Sequence, residues 1–345
     1  MEMNQKTILI TGSAGFIGAA LIERLAQICE DTHIIGIDNL NDYYDVRLKE
    51  YRLHRIERLV QDNPTLRWDF VKGTISDKET VERLFRENRP DIVVNLAAQA
   101  GVRYSITHPD AYIESNIVGF YHILEACRAY PVEHLVYASS SSVYGDNNET
   151  PYSTDDKTDC PVSLYAATKK ADELMAHAYA HLYRIPATGL RFFTVYGPAG
   201  RPDMAYFSFA DKMAEGRDIE LFNYGNCRRD FTYIDDIVRG LVLVMQKPPA
   251  FNKVPHAVYN IGNSSPENLL DFVSVLKEEL VRAGALPDTY DLKSHLKLVP
   301  MQPGDVKTTF ADAAPLERDF GFRPSTPLRE GLRRFAEWYR DYKRL

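Results

Sequence analysis

Cysteine is scarce, with four among 345 residues (Cys29, Cys127, Cys160 and Cys227), far apart and without a C-x-x-C pair. A disulfide frame or zinc ribbon is therefore not expected, and the thiols read as the reduced cysteines of a cytoplasmic protein. No apolar run approaches the ~18 residues a membrane span needs. The polar residues 1–6 lead straight into an apolar strand, so no signal peptide is expected either. Basic residues are not in excess: Lys+Arg 41 against Asp+Glu 48 leaves a net charge of −7. Nothing in that balance points to nucleic acid or an anionic membrane as a partner. Internal repeats, low-complexity tracts and charge blocks are also missing. What is present is ordinary globular composition, 45% hydrophobic and 26% charged, in a chain long enough for about two domains at roughly 150 residues each.

The first half alternates short runs rich in Val, Ile and Leu (7–11, 33–38, 66–71, 91–96 and 134–139) with helix-like stretches (15–29, 46–60, 77–87 and 110–129). Short apolar runs of this kind are strands buried on both faces, and their alternation with helices implies right-handed crossovers in a parallel sheet. The expected fold is α/β, a doubly wound Rossmann-type sheet with a smaller α+β lobe. Turn-formers crowd the chain after about residue 190, so the sheet domain is expected to span 1–192. Residues 233–262 supply a helix and strand that return to it. The smaller lobe is expected to span 193–232 and 263–345.

Thr11-Gly12-Ser13-Ala14-Gly15-Phe16-Ile17-Gly18 follows the first strand and opens the first helix. Its glycines permit a tight turn, approach of backbone N–H groups to a pyrophosphate, and close helix–strand packing. The next strand ends in Asp38, where a carboxylate accepts both ribose hydroxyls of NAD and repels the 2′-phosphate of NADP. Arg47, Lys49, Arg52 and Arg55 follow at roughly helical spacing and read as a solvated helix face. NAD is the expected cofactor.

The fifth strand ends in Ser139-Ser140-Ser141-Ser142-Val143-Tyr144-Gly145, and Tyr165-Ala166-Ala167-Thr168-Lys169 follows. Tyr165 and Lys169 share a helix face, and an ammonium one turn away favours the phenolate, suiting the phenol to acid/base work. A serine at a strand's carboxyl end, beside the crevice, can bond the same substrate hydroxyl.

With these motifs in this order, the chain resembles the extended short-chain dehydrogenase/reductases that act on nucleotide sugars, over nearly its whole length. Within them it is most similar to the UDP-glucuronate 4-epimerases. The marks are Asn41-Asp42-Tyr43-Tyr44-Asp45, the stretch from Ala97 to Ser105 (AAQAGVRYS), Thr194-Val195-Tyr196-Gly197-Pro198, Gly200-Arg201-Pro202-Asp203-Met204-Ala205, Arg229-Asp230-Phe231-Thr232-Tyr233 and Gln302-Pro303-Gly304-Asp305-Val306. The resemblance implies Ser140, Tyr165 and Lys169 as the catalytic groups. It implies Gly12, Gly15, Phe16, Ile17, Gly18, Asp38, Asn39, Ile75 and Ala97, with Tyr165 and Lys169, around NAD. Arg103, Ser141, Ser142, Thr194, Arg201, Arg229 and Asp305 would meet the UDP-sugar, Arg229 at the phosphates and Thr194 and Arg201 at the C6 carboxylate. It further implies a homodimer formed through the long helices 110–129 and 163–183.

The chain departs from the family pattern at Thr74 (Gly-Asp is usual there), Asn95 (His) and Ala199 (Trp), while Gln302 stands where galactose-type epimerases carry a phosphate-binding Arg and is familiar in the glucuronate type. Related 4,6-dehydratases carry Asp-Glu before Val-Tyr-Gly, and UDP-glucuronate decarboxylases carry Glu at the second place. Ser141 and Ser142 stand there here, so elimination or decarboxylation lacks its proton carrier. A 4-epimerase of UDP-N-acetylglucosamine or UDP-glucose stays open as an alternative, as does a nucleotide-binding regulator without turnover. His177 and His181 have metal-ligand spacing, but two ligands make no zinc site; no metal is expected.

Overall fold

The computed structural model describes residues 2–147, 149–301 and 306–344. Its first half is a strand–helix alternation: β1 (Thr7–Thr11), α1 (Phe16–Ile28), β2 (His33–Asp38), α2 (Val46–Gln61), β3 (Arg67–Lys72), α3 (Lys78–Asn88) and β4 (Ile92–Asn95). The short helices α4 (Tyr104–Thr107) and α5 (Pro109–Tyr112) lead into α6 (Gly119–Ala129), then β5 (His134–Ser140), α7 (Leu164–Tyr183) and β6 (Ala187–Phe192). The central strands β1, β4 and β5 are almost wholly buried, whereas β3, at the sheet edge, is only half-buried.

The second half holds β7 (Thr194–Tyr196), α8 (Ala205–Ala214), β8 (Ile219–Leu221), β9 (Arg228–Tyr233), α9 (Ile234–Met245) and β10 (His256–Ile261). It continues with β11 (Pro266–Asn268), α10 (Leu269–Arg282), β12 (Leu296–Leu298), α11 (Ala314–Phe320) and α12 (Leu328–Lys343). β10 returns to the large sheet beside β6, giving the all-parallel order β10-β6-β5-β4-β1-β2-β3. The chain reverses direction across the sheet between β1 and β4, which is where a doubly wound sheet opens its ligand crevice. Small sheets β11-β9-β7 and β12-β8 flank that end. Their core is aromatic: Phe231 stacks on Phe272 at 4.1 Å between centroids, and Tyr206 meets Phe335 edge-on at 4.9 Å.

Two expectations need correction. The stretch 110–129 is not one regular helix, because Ile113–Val118 forms a π-helical turn between α5 and α6. That wide turn delivers Asn116 inward, where its side chain accepts from the Gln99 N–H (2.8 Å) and donates to Thr168 Oγ1 (3.0 Å). Nor are all the basic residues of α2 solvated. Arg47 is exposed and pairs with its N-cap Asp45, but Lys49 and Arg52 are buried, Arg52 to 1%. Arg52 flanks the apolar stripe of Leu48, Leu53 and Ile56, and buried carbonyl oxygens satisfy its head instead of water.

Candidate active site

The carboxyl ends of β1, β2, β4 and β5 open into one cleft of about 780 Å³, whose far wall is built by the β7–α8 connection and β9. At the cofactor end, Gly12 has φ +69°, and a side chain there would sit 2.8 Å from the Ala97 nitrogen. A Cβ on Gly18 would lie 2.2 Å from the Gly12 carbonyl oxygen, so only glycine lets α1 dock this close to β1. The Asp38 carboxylate closes β2 over this turn, accepting from the N–H groups of Ala14 (3.1 Å) and Leu40 (2.9 Å). Asn39, Thr74, Ile75 and Ala97 line the same end with Gly15, Phe16 and Ile17. Among the departures, Asn95 is buried and accepts from Thr11 Oγ1 at 2.7 Å, and Thr74 Oγ1 lies 2.8 Å from Ser76 Oγ.

The chemical centre forms where α7 crosses the end of β5. Ser163 caps α7 by accepting from the Ala166 N–H; Tyr165 in the first turn and Lys169 one turn further both reach the cleft. The Tyr165 ring leans edge-on against Tyr112, 6.0 Å between centroids. Lys169 is 2% exposed; its Nζ donates to the Ala138 carbonyl (2.9 Å) and to Asp172 Oδ2 (3.1 Å). Burial lifts the Asp172 carboxyl to about 7 despite Lys169. Ser140 follows in β5, its Oγ accepting from the Ser142 N–H (3.1 Å) and lying 3.2 Å from Ser142 Oγ. Ser139 beside it donates to Glu173 Oε1 at 2.6 Å, and Glu173 is gripped at 2.8 and 2.9 Å by Arg191. Burial alone would lift the Glu173 carboxyl, but the Arg191 fork outweighs it and leaves the group below its ordinary value.

At the opposite end, Thr194, Arg201, Arg229, Arg103, Ser141 and Ser142 line the cleft. Arg201 forks onto Asp203 at 3.0 and 2.5 Å. Arg229 Nη1 donates to the carbonyls of Arg228 (2.9 Å) and Lys307 (3.1 Å), tying β9 to the chain at 307. The Arg103 guanidinium lies 4.7 Å from the Phe222 ring centroid. Expected residues Asp305 and Gln302 lie outside the described residues. Among the described residues, no group of three His, Cys, Asp or Glu could hold a metal ion, and no helix is long and apolar enough to cross a membrane. His177 instead meets His256 edge-on at 5.3 Å.

Residues 8–262 match the family described as the NAD dependent epimerase/dehydratase family. The chain belongs to that family. It is 47% identical to protein CapI of Staphylococcus aureus, over 97% of this chain and 98% of that one. It is 43% identical to a probable UDP-glucuronate 4-epimerase of Rhizobium meliloti, again over 97% and 98% of the two chains. Among solved structures it is similar to the UDP-glucuronic acid 4-epimerase of Bacillus cereus in complex with UDP-glucuronic acid and NAD. There the TM-score is 0.84 at 30% identity, with 97% and 99% of the chains covered.

The family's dinucleotide suits the groups present here: the turn at Gly12 and Gly18 leaves no room for a side chain, and Asp38 sits at the strand end beside it. Several residues in or beside this cleft escaped sequence reasoning. Asp172 and Glu173 follow Lys169 on the same helix, yet their pairing with Lys169 and with Arg191 of β6 depends on the crossing of α7 over the sheet. Asp203 stood in a motif used for resemblance, but its hold on Arg201 is visible only in three dimensions.

Proposed function

We propose that the chain is a reversible UDP-glucuronate 4-epimerase that carries NAD as a resident cofactor. The observation that carries this reading is one cleft joining the glycine turn and Asp38 to Ser140, Tyr165 and Lys169, with Thr194 and Arg201 on its far wall. The likeness to named UDP-glucuronate 4-epimerases over nearly the full chain supports the same substrate.

When bound, NAD supplies a reversible acceptor for the hydrogen at C4 of the sugar. The chain's own groups do the rest. Tyr165 takes the proton of the C4 hydroxyl and later returns one to the same oxygen, while Ser140 Oγ bonds that oxygen and fixes its direction. Lys169, one turn along α7 from Tyr165 and held by the Ala138 carbonyl and Asp172, completes the catalytic set. Arg229 meets the diphosphate with a planar fork, and Arg103, set against Phe222, borders the nucleotide end. Thr194 and Arg201 hold the C6 carboxylate, and Ser141 and Ser142 leave the sugar pocket without the acid that elimination would need. Residues 1–192 and 233–262 form the cofactor domain in this reading, and 193–232 with 263–345 the sugar-nucleotide lobe.

The active form is a cytoplasmic homodimer. Exposed Ile113, Val118 and Tyr121 on one side, and Leu174 and Leu182 on α7, support the helix pair as its interface. The test of function is to incubate the purified protein with UDP-glucuronate, without added NAD, and resolve the sugar nucleotides by NMR. A reversible mixture with UDP-galacturonate is expected. An unchanged substrate after NAD is added, with turnover of neutral or N-acetylated UDP-hexoses instead, would overturn the reading.

A further inference from the structure

Arg201 meets the cleft already paired. A guanidinium has two forked edges, Nε/Nη2 and Nη1/Nη2. Asp203 occupies the first, with Nε at 3.0 Å from Oδ1 and Nη2 at 2.5 Å from Oδ2. The second edge is the one left to grip a second carboxylate. Asp203 is itself latched from across the cleft, because Tyr43, in the β2–α2 connection, donates its hydroxyl to Asp203 Oδ2 at 3.1 Å. Burial pushes the Tyr43 phenol up to about 12, so it remains a donor; burial would also lift the Asp203 carboxyl, but Arg201 outweighs that and keeps it below the ordinary carboxylate value. The Tyr43 ring is fixed in turn, edge-on to Tyr104 at 4.8 Å and with the Arg201 guanidinium 5.8 Å from its centroid. The backbone just ahead of Arg201 is anchored from the same side, where buried Arg52 of α2 donates to the carbonyls of Ala199 (2.9 Å) and Gly200 (3.0 Å).

From this geometry we infer that Asp203, latched by Tyr43, is a positioning residue that aims Arg201 and thereby sets how the sugar carboxylate is held. The inference rests on the functional reading above. A 4-keto uronic acid is a β-keto acid. Its C5–C6 bond breaks when aligned with the carbonyl π system: the bond's electron pair passes into an enolate over C5 and C4, CO₂ leaves, and a proton adds at C5. Holding the carboxylate so that C5–C6 lies out of that alignment suppresses the loss. A freely swinging arginine would bind the carboxylate without fixing its angle. The Asp203 carboxylate also offsets most of the charge of Arg201, so this pair trades binding strength for direction.

The test uses the full-length protein with UDP-glucuronate labelled at C6, comparing wild type, Tyr43→Phe and Asp203→Asn. The ratio of CO₂ released to UDP-galacturonate formed is expected to rise about tenfold in Asp203→Asn, the scale of one charge-assisted hydrogen bond. It should rise less in Tyr43→Phe, which removes only the latch. Titration calorimetry supplies a readout that needs no turnover: Asp203→Asn should bind UDP-glucuronate several-fold more tightly relative to UDP-glucose, since the offsetting charge is gone. A role confined to folding would lower both products together and weaken both ligands alike. An unchanged CO₂ ratio in both variants, or an unchanged binding ratio in Asp203→Asn, would overturn the inference. If the wild type itself forms no UDP-galacturonate, the functional reading fails, and the calorimetric ratio alone then decides the assignment of Asp203.

Discussion

Replacing Arg52 by Met keeps the apolar stem and removes the buried guanidinium. That group donates to three backbone carbonyls, Ala199 (2.9 Å), Gly200 (3.0 Å) and Ala14 (2.9 Å), and to Tyr44 Oη (2.6 Å). It thus ties the glycine turn to the loop that carries Arg201. Each orphaned buried acceptor costs about 1 kcal/mol at the low end of the range, partly offset because a cation no longer has to be desolvated. The expected net loss is about 3 kcal/mol, or about a 4 °C drop in calorimetric midpoint for a chain of this size. The Ala14 carbonyl belongs to the cofactor turn, so nucleotide released on denaturing the purified protein should also fall below the wild-type amount. Arg52→Lys, which reaches fewer of these oxygens, should lie between. A midpoint within a degree or two of wild type, with full nucleotide content, would refute the reasoning that this buried arginine organises the two sides of the cleft.

Three further outcomes are expected. Tyr165→Phe preserves the edge-on contact with Tyr112 but should cut turnover by roughly 10²–10⁴-fold, measured by NMR, without changing the melting midpoint. His134 is wholly buried, its Nδ1–H donating to the Met245 carbonyl and its Nε2 accepting from Thr188, and burial lowers its pKa to about 4. Below its ordinary value near 6.5 the unfolded chain takes up a proton that the native state refuses until about 4, so stability should fall by up to about 3 kcal/mol across that window; His134→Gln should flatten the midpoint-against-pH curve there. Gly18→Ala would place a Cβ 2.2 Å from the Gly12 carbonyl oxygen, and it should cost about 1–3 kcal/mol and lower the NAD content of the isolated protein.

Much of this was legible in the sequence because its signals were local. The glycine turn, Asp38 at the end of a strand, the serine run and the Tyr165–Lys169 pair are short stretches whose meaning depends on a neighbouring strand or helix. Alternating apolar runs likewise marked the parallel sheet. The misreadings were long-range. Arg52 stood at a helical position that water ordinarily covers, and its acceptors at 199 and 200 come from the far side of the cleft. The π-helical turn at Ile113–Val118 has no compositional mark; it is set by Asn116 reaching Gln99 and Thr168. Asp203 and Glu173 were ordinary acids in sequence, and their partners Arg201 and Arg191 are brought up by the fold.

The central claim is that the sugar inverts at C4 by giving up that hydrogen within the closed site and taking back the same one. UDP-glucuronate deuterated at C4, incubated with the protein in ordinary water, tests it directly by NMR of the products. The account predicts UDP-galacturonate that keeps its deuterium at C4. Loss of the label to solvent in the epimerised product would contradict it.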